Sequence, residues 1–518
     1  MTNGLETDVL IIGCGIAGAT TALELARAGF QIMVITRTAD PHESNTYYAQ
    51  GGIIYQGEAD SPELLVEDVL RAGAGYSDRA AVTILAEQGP PLVQDLLLER
   101  VHVPFDRNGG NKLSLAREGG HSVPRIIHAA DATGRVIQTA ILQALSAHPN
   151  VTLLTGYTAL DLLTSDPGLP SDSPRCRGAY LLNQAEARVA TCLARYTVLA
   201  TGGLGQVYSR TTNPAGARGD GVAMAVRAGA LVKEMEFVQF HPTAFYQPGA
   251  PSFLISEAVR GAGARLVNER GEPFMQKYAP DWQDLAPRDI VARSIYQEMT
   301  TRHTSNVYLD LRTYIPRPTI LNHFPNIYEK CLAYGVDITR DLAPVAPAAH
   351  YACGGVAVDA WGQTRLERLY AVGEVACTGL HGANRLASTS LLEGVVWGYR
   401  AATHIRSHTN GRPDPDPSDI RPYAQDHGTT SPDPARLDRY SRAIRELMWA
   451  HVGLRRTTAG LTEALYQLGD WQAGITRLYQ TSRPTDELIG LCNLVEVARL
   501  ISAAALENEA AVGCHYRE

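Results

Sequence analysis

The feature that most constrains the fold is an apolar run that leads directly into closely spaced glycines near the start of the chain. Residues 9–12 are short enough for one buried parallel strand, and residues 19–28 have a helical pattern. Between them, Gly13, Gly15 and Gly18 form the pattern G-x-G-x-x-G. Such glycines allow a tight turn, close backbone approach to a pyrophosphate, and close packing of helix on strand. The helix N-terminus then offers free N–H groups and a partial positive charge to phosphates. The stretch therefore predicts a dinucleotide site, with a plain strand–helix turn as the alternative.

The residues after the second predicted strand leave the identity of the dinucleotide open. The strand covers residues 31–35, and Thr36 and Arg37 follow where an acidic residue usually holds the ribose hydroxyls. Arg37 suits either the 2′-phosphate of NADP or a flavin adenosine that is held by other groups. Further on, residues 44–54 are small, polar and glycine-bearing, and Gly51 and Gly52 permit close approach to a flat ligand. An ordinary loop is the alternative there.

Composition excludes several classes of function. At 518 residues the chain is long enough for roughly two to four domains, and a net charge of −8 gives no reason to expect a nucleic acid or an anionic membrane as partner. The eight cysteines are scattered without C-x-x-C, so no metal site is predicted and reduced thiols are expected. No signal-peptide pattern and no run of about 18 apolar residues occurs, so we expect a cytoplasmic protein.

Changes of sequence texture along the chain predict its organisation. Strand-and-glycine patterns continue to Lys233, are interrupted by polar residues up to Ala349, and resume at Gly354. Residues 411–435 are rich in Pro, Asp and Ser, and residues 436–505 are helical in pattern. We predict an α/β fold with a Rossmann-like dinucleotide-binding domain in two parts (1–234 and 350–410). An α+β capping domain (235–349) is inserted between them, and residues 411–518 form a linker and a C-terminal helical bundle. A turn-rich excursion is expected at 167–174. A capping box is expected at 390–393, with Ser390 as N-cap and Glu393 reaching back.

Arginines and histidines gather in the segment that interrupts the sheet pattern and just after it. They are His241, Arg260, Arg288, Arg293, His350 and Arg385, and Glu257 lies three residues before Arg260. Arginine binds a carboxylate through two parallel hydrogen bonds, and histidine adds a donor without necessarily adding charge, so the set suits a dianionic carboxylate. Taken singly, the histidines also fit hydrogen-bonded core positions, and Glu257 with Arg260, or Arg288 with Arg293, also fit a salt-bridged helix face.

Eight motifs in order resemble one flavoprotein family. They are GCGIAG, YAQGGI, ATGGLGQVYSRTTNP, QFHPTA, ISEAVRGAGA, RDIVAR, AHYACGG and GANRLASTSLLEG. The set is similar to the flavoprotein subunits of succinate dehydrogenase and fumarate reductase and to the soluble L-aspartate oxidases, from about Asp8 to the C-terminal helices. YAQGG, REGGHS and HAADATGR resemble the aspartate oxidase branch in particular. This resemblance implies FAD-dependent oxidation of L-aspartate to iminoaspartate, the first step of NAD synthesis from aspartate. It also implies O₂ or fumarate as electron acceptor, and quinolinate synthase as a partner that takes the product.

The same resemblance assigns roles to individual residues. FAD contacts are implied at Gly13, Cys14, Gly15, Ile16, Ala17, Gly18, Arg37, Ser44, Asn45, Thr46, Tyr47, Tyr48, Ala49, Gln50, Gly51, Gly52, Ala159, Asp220, Glu374, Ser390 and Leu391. Substrate contacts are implied at Glu118, His241, Ser256, His350 and Arg385. Arg288 is implied as the catalytic proton donor and acceptor, with Glu257 and Arg260 as a relay. Because arginine is normally too basic to accept a proton, this role requires burial and neighbouring cations such as Arg260 and Arg293.

Two positions distinguish branches of the family. Asn45 stands about where the membrane-bound relatives carry a histidine bonded to FAD, and asparagine cannot form that bond, so non-covalent FAD is expected. Glu118 stands where the dehydrogenases carry a neutral amide, and a carboxylate suits the ammonium group of aspartate. The chain departs from the family at Ser256 (usually Thr), at Ala262 (commonly Glu) and at residues 511–513 (usually Ser-Arg-Gly), which puts a contact of the helical domain in doubt.

Two alternatives remain beside aspartate oxidation. One is a soluble fumarate reductase or succinate dehydrogenase flavoprotein. The other is a non-catalytic FAD-binding module that uses its helical C-terminus for a partner.

Overall fold

The glycine pattern and the strands around it form the centre of a parallel sheet, as the sequence predicts. The computed structural model describes residues 4–164, 175–409, 428 and 430–518. The predicted excursion at 167–174 and most of the predicted linker (411–427 and 429) lie outside these residues.

The described elements are numbered in chain order. The strands are β1 (Leu5–Ile12), β2 (Ile32–Thr36), β3 (Ile53–Ile54), β4 (Leu115–Ala116), β5 (Ile126–Ile127), β6 (Val151–Thr155), β7 (Tyr157–Thr164), β8 (Cys176–Asn183), β9 (Arg188–Leu199), β10 (Val232–Lys233), β11 (Val238–Phe245), β12 (Arg265–Val267), β13 (Val307–Asp310), β14 (Ala343–Ala352), β15 (Gly355–Ala357), β16 (Leu369–Ala371) and β17 (Ala376–Cys377). The α-helices are α1 (Ile16–Arg27), α2 (Asn45–Tyr48), α3 (Pro62–Ala72), α4 (Arg79–Leu92), α5 (Thr133–Ala147), α6 (Asp220–Arg227), α7 (Glu257–Gly261), α8 (Met275–Tyr278), α9 (Arg288–Arg302), α10 (Arg317–His323), α11 (Pro325–Ala333), α12 (Thr389–Ser407), α13 (Pro434–His451), α14 (Thr458–Thr481) and α15 (Asp486–Glu507). A π-helical stretch (Val93–Arg100) continues α4.

The main sheet brings the separate glycine loops together. Its strand order is β6-β2-β1-β9-β8-β7. Strand β16 lies off this order and pairs with the last residues of β9, 197–199. Strands β6, β2, β1, β9 and β16 are mutually parallel, and β7 and β8 add an antiparallel meander. Ile12 pairs with Leu199, so the loops that follow β1 and β9 leave the same end of the sheet. In open parallel sheets, ligands bind outside the carboxyl ends of the strands.

A second, antiparallel sheet forms the inserted α+β region. Its order is β11-β14-β13-β12, and helices α7 to α11 lie between or beside these strands in the chain. A separate apolar cluster that includes Phe245, Leu266, Ile295 and Ile327 fills this region. The α/β fold with an inserted α+β region is therefore confirmed, while the domain boundaries given above stay predictions.

The C-terminal region is helical, as predicted. Helices α13 and α14 pack on α15, and α15 also packs on α6 beside the main sheet. Helix α15 is long and apolar enough to cross a membrane by length and composition, but 67% of its apolar window is buried inside the protein. Its apolar residues therefore join the core of the fold.

The predicted capping box at 390–393 is wrong. Helix α12 begins at Thr389, and its N-cap is Ser388, which adopts a left-handed conformation with φ +59° and makes no side-chain cap. Glu393 points elsewhere, because its carboxylate accepts hydrogen bonds from Tyr351 and Thr378. Ser390 lies in the first turn, where its hydroxyl accepts from Arg385.

Candidate active site

One large cleft runs from the glycine loop after β1 to the inserted sheet. Its volume is about 1780 Å³ when the part open to solvent is counted. Its lining includes every predicted cofactor residue except Gly18 and Tyr47, and every predicted substrate residue. Of the predicted catalytic residues, Arg288 and Glu257 line it, and Arg260 lies behind them. The structure thus brings together residues that are up to 378 positions apart, from Gly13 to Leu391.

The three glycines of the first loop differ in what a side chain would meet. At Gly13 (φ +113°) a Cβ would lie 2.1 Å from the Ala200 carbonyl oxygen, and at Gly18 it would lie 2.1 Å from the Gly13 carbonyl oxygen. At Gly15 the nearest atom would be the Thr46 hydroxyl, at 3.2 Å. Gly13 and Gly18 therefore serve the protein's own packing, whereas Gly15 faces the cleft and leaves room for a ligand.

Cys14 has the packing role of a small residue in this turn. Its thiol donates to the Pro41 carbonyl oxygen at 3.1 Å, and burial raises its pKa to about 11. A thiol with such a pKa is protonated at neutral pH and is a poor nucleophile.

A carboxylate from the C-terminal bundle organises the far end of the cleft. Asp486, at the first position of α15, accepts from Arg37 at 3.0 Å, from Thr158 at 2.7 Å and from Arg218 at 3.0 and 3.1 Å. Burial favours protonation, but the Arg218 guanidinium holds the pKa of Asp486 below its ordinary value. Since Arg37 is neutralised by this carboxylate, it is poorly suited to an NADP 2′-phosphate. Sequence reasoning missed Asp486 because no local pattern signals a contact across 449 positions.

Asn45, on which the expectation of non-covalent FAD rests, makes a hydrogen bond to a buried carboxylate. Its Nδ2 donates to Glu374 Oε2 at 2.6 Å, and Glu374 Oε1 accepts from the Ala352 amide at 3.1 Å. Burial raises the pKa of Glu374 to about 7.

Unpaired polar atoms in the cleft wall test whether FAD fits. Among the described residues, Asn45 Oδ1, Gln50 Oε1 and Thr201 Oγ1 are buried without a hydrogen-bond partner, as are His241 Nε2 and Arg385 Nε towards the inserted sheet. All five residues line the cleft. Buried polar atoms are normally paired, so such a row suits a flat ligand with polar edges. Together with the glycine loop and the N-terminus of α1, which lines the cleft through Ile16 and Ala17, this row fits FAD.

Arg385 and two histidines form a basic wall at the inserted sheet. Arg385 donates to His350 Nε2 at 3.1 Å and to Ser390 Oγ at 3.1 Å, and it lies 4.6 Å from the centre of the Tyr351 ring. Because His350 Nε2 accepts, its Nδ1 carries the proton and donates to Thr212 Oγ1 at 2.8 Å. Burial, with Arg288 next, lowers the pKa of Arg385 to about 10.

The two histidines are neutral hydrogen-bonding groups. Their rings lie edge to face at 5.1 Å. Burial and the neighbouring arginines hold the pKa of both His241 and His350 well below the ordinary value. The site therefore concentrates positive charge on arginine and uses histidine for hydrogen bonds.

Arg288, Glu257 and Arg260 form a contiguous buried row. Arg288 Nε donates to Glu257 Oε2 at 2.7 Å, and Nη1 donates to Gln239 Oε1 at 3.1 Å. Arg260 Nη2 lies 3.8 Å from Glu257 Oε1, and its Nη1 donates to the Asp284 carbonyl oxygen. Although burial raises the pKa of Glu257, Arg288 and Arg260 bring it below its ordinary value, so Glu257 is ionised.

Arg293 does not join this row. Its guanidinium donates to Asp289 at 2.9 Å and to the Gly513 carbonyl oxygen at 2.7 Å, and it lies 5.4 Å from the Tyr516 ring. The C-terminal tail therefore contacts the inserted region through Gly513 despite the unusual residues around it. The expectation that Arg293 accompanies Arg288 is wrong, and Arg260 and Arg385 are neighbouring cations whose pKa values Arg288 lowers.

Glu118 is a buried carboxylate on the cleft wall. Its Oε2 accepts from Ser388 Oγ at 2.6 Å, and a Cβ on Gly51 would lie 2.4 Å from its Oε1. Burial and the nearby Glu257 raise the pKa of Glu118, against the influence of Arg288, Ser388 and Arg385. Ser388 was missed by sequence reasoning, which placed the helix start two residues later. No cluster of three or more His, Cys, Asp or Glu side chains arranged for a metal ion occurs in the part of the chain that the structure describes.

The cleft and the fold define an FAD-binding flavoprotein. The family model described as "FAD binding domain" matches residues 8–391, and the one described as "Fumarate reductase flavoprotein C-term" matches residues 441–518. Among solved structures, the FrdA chain of an E. coli quinol fumarate reductase is 28% identical with a TM-score of 0.91, over 100% of this chain and 92% of that one. Sdh1 of Mycobacterium smegmatis is 28% identical with a TM-score of 0.82, over 99% and 89%.

Curated relatives narrow the class further. L-aspartate oxidase 1 of Ralstonia nicotianae is 45% identical, over 99% of this chain and 95% of that protein. The L-aspartate oxidase of Halobacterium salinarum is 44% identical, over 100% and 97%. The chain therefore belongs to the L-aspartate oxidase family.

Proposed function

We propose that this protein oxidises L-aspartate to iminoaspartate with non-covalent FAD, as the first step of NAD synthesis from aspartate. The observation that carries the proposal is that a buried carboxylate, Glu118, lines the same cleft as the basic wall of Arg385, His241 and His350. Such a site complements a ligand with two carboxylates and one ammonium group.

The basic wall would bind the substrate carboxylates. Arg385 is held by its bonds to His350 and Ser390, so it loses little side-chain freedom on binding. His241 Nε2 and Arg385 Nε, unpaired among the described residues, would turn towards the substrate. Glu118 would accept from the ammonium group, and the Ser388 hydroxyl would keep its other oxygen in place.

Arg288 would accept the proton that the substrate's amino group loses when the Cα hydrogen leaves. Its Nε and Nη1 donate to Glu257 and Gln239, so Nη2 is the guanidinium nitrogen that would meet the substrate. Glu257 lies between Arg288 and Arg260, and this arrangement supports the proposed relay. When bound, FAD would accept the hydride from the substrate Cα. The N-terminal amides of α12, beside Ser390 and Leu391, would favour negative charge on the bound flavin.

The binding of FAD without a covalent bond belongs to the same proposal. Asn45 has no ring nitrogen for a flavin bond, and its Nδ2 is engaged with Glu374, which supports non-covalent binding. Acid precipitation of the protein is expected to release all of the flavin into the supernatant.

O₂ or fumarate would reoxidise the flavin, and quinolinate synthase would take the product. All eight cysteines are free thiols, which supports a reducing compartment such as the cytoplasm.

Succinate oxidation or fumarate reduction is a second candidate, because the basic wall alone suits any four-carbon dicarboxylate. Glu118 distinguishes the two, since succinate offers no cation to this buried carboxylate. The test is to add L-aspartate or succinate to the holoenzyme without oxygen. Loss of the oxidised flavin absorbance with L-aspartate, at concentrations where succinate acts slowly, supports the proposal. Faster reduction by succinate contradicts it.

A further inference from the structure

We infer that Asp131, in the HAADATGR motif, is a positioning residue that fastens helix α11 of the inserted region beside the flavin-lining segment. The inference rests on the proposed function, because it concerns the closure of the same cleft over its substrate. No role for this motif follows from the residues that line the cleft, since none of residues 128–135 is among them.

The contact spans two regions that are 195 positions apart. Asp131 is 4% exposed, and its Oδ1 accepts from the Asn326 backbone amide at 3.2 Å and from Asn326 Nδ2 at 2.5 Å. Its Oδ2 accepts from the Ile327 amide at 2.7 Å. A buried carboxylate with three donors has one well-defined position.

Helix α11 depends on this carboxylate for its first turn. The residue before the helix is Phe324, whose side chain cannot accept a hydrogen bond, and Pro325 follows it. The first amides of a helix need acceptors, and the positive end of the helix dipole favours an anion. Asp131 therefore caps α11 from a different part of the chain, so breaking the contact releases the helix from the FAD-binding part.

The loop that carries Asp131 is fixed to the wall of the cleft. Thr133 Oγ1 accepts from the Ala129 amide at 3.0 Å and donates to the Gly51 carbonyl oxygen at 2.9 Å. The Gly134 amide donates to the Ala49 carbonyl oxygen at 2.8 Å. Ala49 and Gly51 both line the cleft, so the position of Asp131 is coupled to the segment that would contact the flavin.

Helix α11 in turn lies beside residues on both walls of the cleft. Lys330 Nζ lies 5.9 Å from the ring of Tyr48 in the FAD-binding part and 5.7 Å from the ring of Phe253 in the inserted region. Tyr48 lines the cleft, and so does Leu254, the neighbour of Phe253. Asp131 therefore positions the helix that joins the two walls.

The experiment compares Asp131→Ala and Asp131→Asn with the wild-type holoenzyme. Hydrogen exchange is measured by mass spectrometry at residues 317–333 and 46–52, and KM and kcat for L-aspartate are measured at saturating FAD. In Asp131→Ala we expect faster exchange in both segments and a rise in KM of about tenfold, in line with hydrogen bonds to a charged acceptor, with a smaller change in kcat. Asp131→Asn keeps one acceptor oxygen and is expected to show an intermediate effect.

Two further variants make the result specific. In Asp131→Asn combined with Asn326→Asp, the carboxylate and the amide exchange sides, and part of the lost protection and affinity is expected to return. Asp337→Asn changes another acid of the inserted region whose side chain contacts Thr339 and Arg340 within its own turn, and it should leave residues 46–52 unchanged.

Unchanged exchange at 317–333 in both Asp131 variants, or an equal effect of Asp337→Asn, would overturn the inference. If Asp131→Ala does not fold, the asparagine variant and the exchanged pair decide it. A wild-type flavin that L-aspartate does not reduce refutes the proposed function, whereas the exchange data still test the contact.

Discussion

Replacing Glu118 by glutamine is expected to remove the preference for an amino acid while leaving dicarboxylate binding intact. The carboxylate is buried and accepts from Ser388 Oγ through Oε2, which leaves Oε1 to meet an ammonium group. Glutamine has nearly the same shape, keeps one acceptor oxygen for Ser388, and presents an uncharged NH₂ to the substrate. The lost interaction is a hydrogen bond between two charged groups.

The magnitude follows from that interaction. Hydrogen bonds to charged groups contribute about 1.5–3 kcal/mol, so kcat/KM for L-aspartate should fall by roughly ten- to 150-fold. Fumarate carries no ammonium group, and its KM should stay within about twofold, since that is less than 0.5 kcal/mol. Burial and Glu257 raise the pKa of Glu118 and thus disfavour the ionised form that the ammonium needs. The wild-type KM for L-aspartate should therefore rise as the pH falls through that raised pKa. This rise in KM should be absent in Glu118→Gln.

Steady-state assays with L-aspartate and with fumarate, over a series of pH values, measure both quantities. Ser388→Ala serves as the companion variant. Loss of its hydrogen bond should raise the pKa of Glu118 further, so the KM for L-aspartate should begin to rise at a higher pH than in the wild type. The reasoning is refuted if Glu118→Gln reduces fumarate and L-aspartate turnover equally, because the carboxylate then serves the site as a whole.

Three further predictions concern other parts of the cleft and its surroundings. Arg288→Leu should retain FAD and bind L-aspartate but lose turnover, because the proton would have no guanidinium to meet; normal flavin reduction in stopped flow would reject the assignment. Asp486→Asn should weaken FAD binding about tenfold in a fluorescence titration, since a charged acceptor for Arg37, Thr158 and Arg218 is lost, and an unchanged Kd would count against a role of the bundle. Burial lowers the pKa of His121 to about 4, so its contribution to the free energy of unfolding is present above the ordinary value of 6.5 and is lost as the pH falls towards 4. Between pH 7 and pH 5 this loss is about 2 kcal/mol of the free energy of unfolding. The midpoint of urea unfolding should therefore fall less for His121→Gln than for the wild type over this pH range. An equal fall would disprove the contribution of His121 to the pH dependence of stability.

Most of the fold could be predicted because its signals are local. The apolar run and glycines at 9–18 predicted β1, the turn and α1, and the strand predicted at 31–35 is β2 of the same sheet. The start of α12 could not be predicted, because the sequence 390–393 fits a capping box while tertiary contacts draw Glu393 towards Tyr351 and Thr378. Ser388 then adopts a left-handed conformation that no local pattern indicates.

The members of the cleft could be named from motifs, but their partners could not. Asp486 reaches Arg37 from the C-terminal bundle, and Asp131 reaches Asn326 across 195 positions. Arg293 shares a motif with Arg288, yet it turns to Gly513 because the two side chains leave α9 in different directions. Sequence spacing predicts which residue types are present, and packing between distant segments decides which of them meet.

The most direct test of L-aspartate oxidation by this protein is the absorbance spectrum of the oxidised holoenzyme before and after L-aspartate is added without oxygen. We expect the flavin bands to bleach with L-aspartate in the wild type and to bleach far more slowly in Glu118→Gln and Arg288→Leu. Oxidised flavin that persists in the wild type at saturating L-aspartate would contradict this expectation.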